Sequence, residues 1–296
     1  MLRGGVRRPG RPLVREAWWC PLTQPGRPAV EPPAAPPSGT PPAAGAAPTT
    51  PAPPVPGECQ VWRLPLGAGH WAGLDVLDPT ERERHARFLR AADRDRYQAA
   101  HLGVRLLLGH YLGVPPAELR FSRRCRHCGA GHGKPTVAHP ATKLDFSLTH
   151  SGDWVALAVA AAPVGLDVQE IGDSTDLAIL SATVLAPAEL RWWREQPPAR
   201  ARRAFFRYWA RKEALLKATG YGLAVPMNAI TVSPPDEPAR LLDWSAHRSL
   251  DGPVQLYDLD TGPDYTGAVA VLSSLPVRIT QAPLPLGAVR SALSGG

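Results

Sequence analysis

The stretch Ala162-Pro163-Val164-Gly165-Leu166-Asp167-Val168-Gln169-Glu170 decides the fold. Ala162-Pro163 interrupts what precedes it, and alternation follows at once, with Val164, Leu166 and Val168 on one face and Asp167 and Gln169 on the other. This predicts a strand over 164–171 that opens a second half of the chain. A fully buried strand has no need of that polar pair. Downstream, the pattern predicts a helix near 187–194, a longer one from about 201 to 219, and strands near 230–233, 254–259 and 265–272. Upstream lie strands at 144–148 and 154–160 and an edge strand at 60–66. Asp78-Pro79 opens a charged helix through Leu89, as an N-cap followed by proline at the first helical position does. A second helix fits 93–112 and stops at Gly113-Val-Pro-Pro. Each half is then a small sheet carrying helices. The expected architecture is α+β, two comparable subdomains packed side by side with a cleft between them; no fixed repeat period is visible.

The 296 residues carry 33 Lys plus Arg against 26 Asp plus Glu, a formal net charge of +7. Only four of the basic residues are lysines, Lys134, Lys143, Lys212 and Lys217, so each lysine is more informative than an average arginine. Residues 21–57 hold 14 prolines and few large apolar side chains, a composition that cannot offset the entropy of ordering. The expected division is a disordered Pro/Ala-rich tail over 1–58, an N-terminal subdomain over 59–162, a C-terminal subdomain over 163–285, and a flexible C-terminus over 286–296. Six Arg and three Glu in the first 60 residues account for +3 of the charge. The folded body is therefore only mildly basic, which argues against a dedicated nucleic-acid binder. No apolar run is long enough to span a membrane, and the N-terminus lacks the apolar stretch of a secretory signal. Four cysteines are too few for a disulfide framework, so a reducing cytoplasm is expected.

In the helical segment Arg207-Tyr-Trp-Ala-Arg-Lys-Glu-Ala-Leu-Leu-Lys217, Glu213 and Lys217 stand four apart and share a face with Trp209. One reading is a solvated ion pair worth about 0.3–0.5 kcal/mol. The other is a phosphate site. Two carboxylates from different elements, Asp167 and Glu213, with a lysine as point charge, suit Mg²⁺, which takes one or two carboxylates and leaves its other positions to phosphate oxygens and water.

Four motifs in order, Gly133-Lys-Pro135, Phe146-Ser-Leu-Thr-His-Ser151, Gly165-Leu-Asp-Val168 and Trp209-Ala-Arg-Lys-Glu-Ala-Leu-Leu-Lys217, resemble those of the Sfp-type 4′-phosphopantetheinyl transferases. The resemblance covers roughly residues 60–275. It implies a pseudo-twofold α+β fold, coenzyme A as co-substrate and Mg²⁺ as cofactor. The implied reaction passes the phosphopantetheine arm to a serine of an apo acyl or peptidyl carrier protein and releases adenosine 3′,5′-bisphosphate. By the same resemblance Asp167 and Glu213 are the acidic metal ligands, Glu213 or a water it orients is the base for the carrier serine, and Lys217 neutralises the pyrophosphate. Thr149, His150 and Lys134 match nucleotide and phosphate contacts. Arg84 and Arg96 match positions that hold the 3′-phosphate, with solvated arginine on a charged helix as the alternative. Many relatives carry a second acid two residues after the strand Asp, and this chain has Gln169 there, at a candidate metal position without charge. A monomer acting on acidic carrier proteins in the cytoplasm is expected, with neither nucleic acid nor membrane as partner.

Cys125-Arg-His-Cys128, with His127 and His132, has the gap of half a zinc knuckle. Two Cys and a nearby His could supply three ligands, but a closed tetrahedral site needs a fourth, and Cys20 and Cys59 lie in or beside the tail, so a surface loop with two thiols is expected, with structural zinc as the alternative. The alternative function is a basic zinc-ribbon-like module that binds nucleic acid without catalysis.

Overall fold

Both long helices of the protein follow short, proline-opened ones, and each pair covers its own sheet. In a computed structural model, residues 50–294 are described except 72, 127, 173–175 and 247–248. Most of the expected tail, with Trp18, Trp19 and Cys20, lies outside the described residues, as does His127. Strand β1 (Glu58–Arg63) is followed by α1 (Pro79–Arg87), α2 (Ala91–Leu112), a short hairpin of β2 (Arg120–Ser122) and β3 (Thr136–His139), then β4 (Asp145–Ser151) and β5 (Trp154–Ala160). The second half runs β6 (Val164–Glu170), α3 (Leu177–Val184), α4 (Pro187–Arg194), α5 (Pro198–Thr219), β7 (Ile230–Val232), β8 (Leu241–Trp244), β9 (Val254–Leu259) and β10 (Tyr265–Leu272). Strand β11 (Arg278–Pro283) and α6 (Leu286–Ser294) end the described chain.

One sheet has the order β11-β1-β5-β4 and a second the order β6-β10-β9, which is the α+β architecture expected. Strand β5 is buried along its whole length because both of its faces are covered. Val155, Leu157 and Val159 pack under α2, while Ala156, Ala158 and Ala160 meet Val164, Leu166 and Val168 of the second sheet. The alanine face lets the two sheets approach closely. Helix α5 covers the opposite face of β6, where its Ala214 and Ala218 pack over Gly165. A Cβ at Gly165 would lie 1.9 Å from the Ala214 carbonyl oxygen, so the strand glycine permits this contact.

Three expectations need correction. The first strand is not an edge: β11 pairs with it in parallel on one side and β5 antiparallel on the other. Residues 278–283 therefore join the N-terminal sheet, and the segment expected to be a flexible C-terminus forms α6, with Val289 fully buried. The end of the proline tract is docked as well: Pro54 is buried, and the Pro51 and Ala52 carbonyls accept hydrogen bonds from His110 and Gln60. Cys59 sits in the core of β1, where burial pushes its thiol up to about 12. Proline needs no large side chain to pack against a preformed surface, which composition alone could not reveal. Among the described residues no helix is long and apolar enough to cross a membrane.

Candidate active site

The two sheets meet along β4 and β6, and side chains make the junction. Alternate residues of β4, Asp145, Ser147, Thr149 and Ser151, accept hydrogen bonds from the backbone N–H groups of Val164 (2.8 Å), Leu166 (2.9 Å), Val168 (3.2 Å) and Glu170 (2.9 Å). Short polar side chains at every second position thus replace a backbone ladder. Lys134 closes one end of this seam, donating to Asp145 and, at 2.7 Å, to the Val164 carbonyl. Burial holds its ammonium below the usual lysine range, and Asp145 partly restores it.

Asp167 lies at the middle of the seam and is only 3% exposed. Its Oδ1 accepts from Lys217 Nζ at 2.6 Å and from the Thr149 hydroxyl at 3.2 Å, and its Oδ2 accepts from the Gln169 amide at 2.8 Å. Lys217 also donates to the Leu166 carbonyl at 3.0 Å. Glu213 stands one turn before Lys217 on α5. Burial first and the Asp167 carboxylate second push it up to about 7, while Lys217 pulls it back. The Asp167 carboxylate thus opposes ionisation of Glu213, and a cation placed between them would relieve that opposition. Their hard oxygen donors, brought from a strand and a helix, fit a Mg²⁺ ion bound with phosphate oxygens and water.

His150 alternates to the other face of β4. Burial, then the charges of Lys217 and Arg96, hold its imidazole down at about 4. Arg96 reaches from α2 to the β4–β5 turn, donating to the Gly152 carbonyl at 2.6 Å and pairing with Asp93 at 3.1 Å. Arg96 and Lys217 thus form a positive margin beside the carboxylates, with a neutral His150 imidazole between their charges. Arg84, on α1, lies near enough to Tyr97 to act on its hydroxyl electrostatically.

The structure brings together Asp167, Glu213, Lys217, Gln169 and Thr149, with His150 and Arg96 at their margin. It gives two residues other tasks. The Thr149 hydroxyl is spent between Asp167 and the Val168 N–H, where it orients the carboxylate, and Lys134 is bound into the seam four strand residues from Thr149. Lys212, conspicuous in sequence as one of four lysines, is fully buried against Glu189 and stays out of the site. Trp209 is a core residue beside Phe205. Two positioning features escaped the sequence reading: the alternate Asp-Ser-Thr-Ser of β4 and the glycine of Gly165-Leu-Asp. Both had signals, an every-second-residue polar pattern and a glycine inside a strand. A cavity of about 300 Å³ is lined by Arg203, Arg207, Thr261 and Thr266, and Thr266 stands opposite Gln169 in the β10–β6 pairing.

A buried strand carboxylate held by a helix lysine, with a second helix carboxylate beside it, is a candidate site for a metal ion and phosphate. Comparison with known proteins supplies the family. A family described as "4′-phosphopantetheinyl transferase superfamily" matches residues 163–269, and one described as "4′-phosphopantetheinyl transferase, N-terminal" matches residues 62–162. The 4′-phosphopantetheinyl transferase HetI of a Nostoc species is 33% identical over 62% of this chain and 78% of its own length. The 4′-phosphopantetheinyl transferase psf-1 of Bacillus pumilus is 33% identical over 62% and 73%. The transferase Sfp of Bacillus subtilis is 25% identical over 54% and 67%. The chain belongs to the 4′-phosphopantetheinyl transferase family and is an enzyme of that activity, transferring phosphopantetheine to carrier proteins. A non-enzymatic zinc-ribbon module is thereby set aside.

Proposed function

We propose that the enzyme takes the phosphopantetheine arm from coenzyme A, with Mg²⁺, and places it on the serine hydroxyl of an apo acyl or peptidyl carrier protein, releasing adenosine 3′,5′-bisphosphate. The observation that carries this reading is the convergence of Asp167, Glu213 and Lys217 on one buried spot between β6 and α5. Asp167 and Glu213 would hold the metal, which supplies charge neutralisation at the pyrophosphate of the bound co-substrate. Lys217, which pairs with Asp167 and donates to the Leu166 carbonyl, would set its ammonium beside the leaving phosphate. Glu213, beside the same spot, would take the serine proton, directly or through one water it orients. Arg96 offers a positive group, and the neutral His150 imidazole a hydrogen-bond donor, to the phosphates at the margin. Arg84 is a further candidate for the 3′-phosphate, and Lys134 and Thr149 support the site by fixing the seam.

The expected partners are carriers with acidic helices, the enzyme is a monomer, and its setting is cytoplasmic, with no nucleic acid or membrane required. The test is a panel of apo carrier proteins incubated with the enzyme, coenzyme A and Mg²⁺ and weighed by mass spectrometry. A gain of one phosphopantetheine on a carrier serine, abolished by chelation and restored by Mg²⁺, is the expected result. Transfer undiminished without divalent metal overturns the metal assignment.

A further inference from the structure

The loop between β2 and β3, expected to be a plain surface loop, brings three soft or borderline ligands together. The Sγ atoms of Cys125 and Cys128 and a ring nitrogen of His132 all lie within 4.8 Å of one another. Cys128 Sγ stands 2.9 Å from His132 Nε2. In a tetrahedral site with Zn–S of about 2.3 Å and Zn–N of about 2.0 Å, ligand atoms stand roughly 3.5–3.8 Å apart. The three atoms need shift by only fractions of that spacing to accept an ion. The backbone is wound as a knuckle: Gly129 N–H donates to the Cys125 carbonyl at 2.9 Å, and Cys125 N–H to the Ala130 carbonyl at 2.7 Å.

We propose that Cys125, Cys128 and His132 bind a zinc ion that orders this loop, a second metal site separate from Asp167 and Glu213. Two thiolates and an imidazole select zinc over the hard cation suited to the carboxylates. Cys125 is buried and anchors the ion to the fold, while Cys128 and His132 are exposed, so the fourth position faces solvent and takes water.

The loop's contacts give the ion a task. Arg126, inside the knuckle, donates to the Thr219 carbonyl at 2.8 Å, at the C-terminal end of the helix that carries Glu213 and Lys217. Gly133 N–H donates to the Arg123 carbonyl at 2.6 Å, and a Cβ on Gly133 would lie 2.4 Å from the Arg124 carbonyl oxygen and 2.7 Å from Cys125 Cα. The backbone entering Lys134 is thus pressed against Cys125, and Lys134 bridges Asp145 of β4 and Val164 of β6. Fixing the knuckle therefore fixes one contact to each half of the molecule.

The test uses the full chain purified without chelator, with zinc measured by elemental analysis and Co²⁺ added to the metal-free protein as a spectroscopic probe. One zinc ion per chain is expected, and thiolate-to-cobalt charge-transfer bands that carboxylate ligands cannot produce. Cys128→Ser and His132→Ala alter exposed positions, so they preserve the fold. Each should weaken Co²⁺ binding by about 10²-fold. Chelation should lower the melting temperature of the wild type by several degrees and leave His132→Ala unchanged. Absence of both zinc and thiolate bands in the wild type overturns the proposal, as does undiminished Co²⁺ affinity in both variants.

Discussion

Helices α2 and α5 are each 22 residues long, each ends on a left-handed glycine, Gly113 or Gly220, and each carries a buried cation at its fifteenth residue, Arg105 or Lys212. Each cation grips a glutamate at the third position of the preceding proline-opened helix, Glu81 of α1 or Glu189 of α4. Arg105 donates to Glu81 at 2.7 Å and Asp78 at 3.1 Å, and Lys212 to Glu189 and, at 2.7 Å, the Val184 carbonyl. The two halves thus share one clamp. They diverge at the very next residue: α2 continues with Leu106, packed in the N-terminal core, where α5 has Glu213, and His110 stands where α5 has Lys217. The clamp is common architecture, and the candidate site occupies the neighbouring ridge of one copy. A conspicuous lysine can belong to either.

The largest expected effect separates those roles. Asp167→Ala and Glu213→Gln should each lower phosphopantetheine transfer by at least about 10²-fold, because the charge at the pyrophosphate is left uncompensated. Glu213→Gln should not lower the melting temperature, since it removes a half-buried carboxylate that Asp167 already opposes. At the matching position of α2, Leu106→Ala should cost about 2–5 kcal/mol of stability through the cavity it leaves. Normal turnover in either acidic variant, measured by carrier mass gain, breaks the division of labour.

Next come the clamps. Removing one partner of a buried pair leaves the other charged and unpaired, at a cost of about 3–5 kcal/mol. Arg105→Ala and Lys212→Ala should therefore each destabilise the fold by that amount in urea unfolding. A negligible loss at Lys212 would mean that its partner is already neutral in the native protein.

Acid should distinguish the two halves. Burial alone would raise the Glu81 carboxyl, but His101, the Asp78 N–H and the Arg105 guanidinium together hold it down at about 2, against an ordinary 4.5. A depressed carboxyl gives stability that is complete above about 4.5 and lost as pH falls toward 2, here about 3 kcal/mol. Burial dominates at Glu189 and raises it, so this carboxyl's contribution to stability instead grows as pH falls through its native pKa. Unfolding free energies from pH 6 to pH 3 should show the penalty of Glu81→Gln shrinking with acid and no such decline for Glu189→Gln. Parallel pH profiles for the two variants would remove the distinction.

Much of this was legible in sequence because periodicity reports which face is buried. Trp154–Ala160 and Pro187–Arg194 appear as strand and helix with the bounds their patterns suggest, and the opposed faces of β6 follow from its alternation. Asp167, Glu213 and Lys217 were legible through spacing and family motifs. Partnership was not. Nothing local in Lys134 says that it will meet Asp145 and Val164, and nothing in 278–283 says that it will pair with a strand 220 residues earlier, Glu58 against Arg278. Thr149 was read as a ligand contact because its motif says so, while its hydroxyl is consumed by a strand that sequence cannot place beside it.

The smallest expected effect lies at Gln169, whose side chain shares a strand face with Asp167 and donates to its Oδ2 at 2.8 Å. The amide removes one oxygen of Asp167 from competition and brings no charge, so the cofactor-free site holds two carboxylates and attracts Mg²⁺ weakly. The metal should then arrive mainly with coenzyme A, whose pyrophosphate supplies the remaining anionic oxygens, and the two ligands should enhance each other's binding reciprocally. Gln169→Glu exchanges the donated hydrogen bond for a third carboxylate beside Asp167. This should tighten Mg²⁺ binding to the cofactor-free enzyme by roughly tenfold, about 1.4 kcal/mol, and shrink the coupling accordingly. The added repulsion should cost the metal-free fold about 1 kcal/mol, recovered on adding Mg²⁺. Calorimetric titration of Mg²⁺ into both proteins, with and without coenzyme A, decides the matter: equal affinities in the two cofactor-free proteins would mean that position 169 does not reach the metal, leaving Asp167 and Glu213 as its protein ligands.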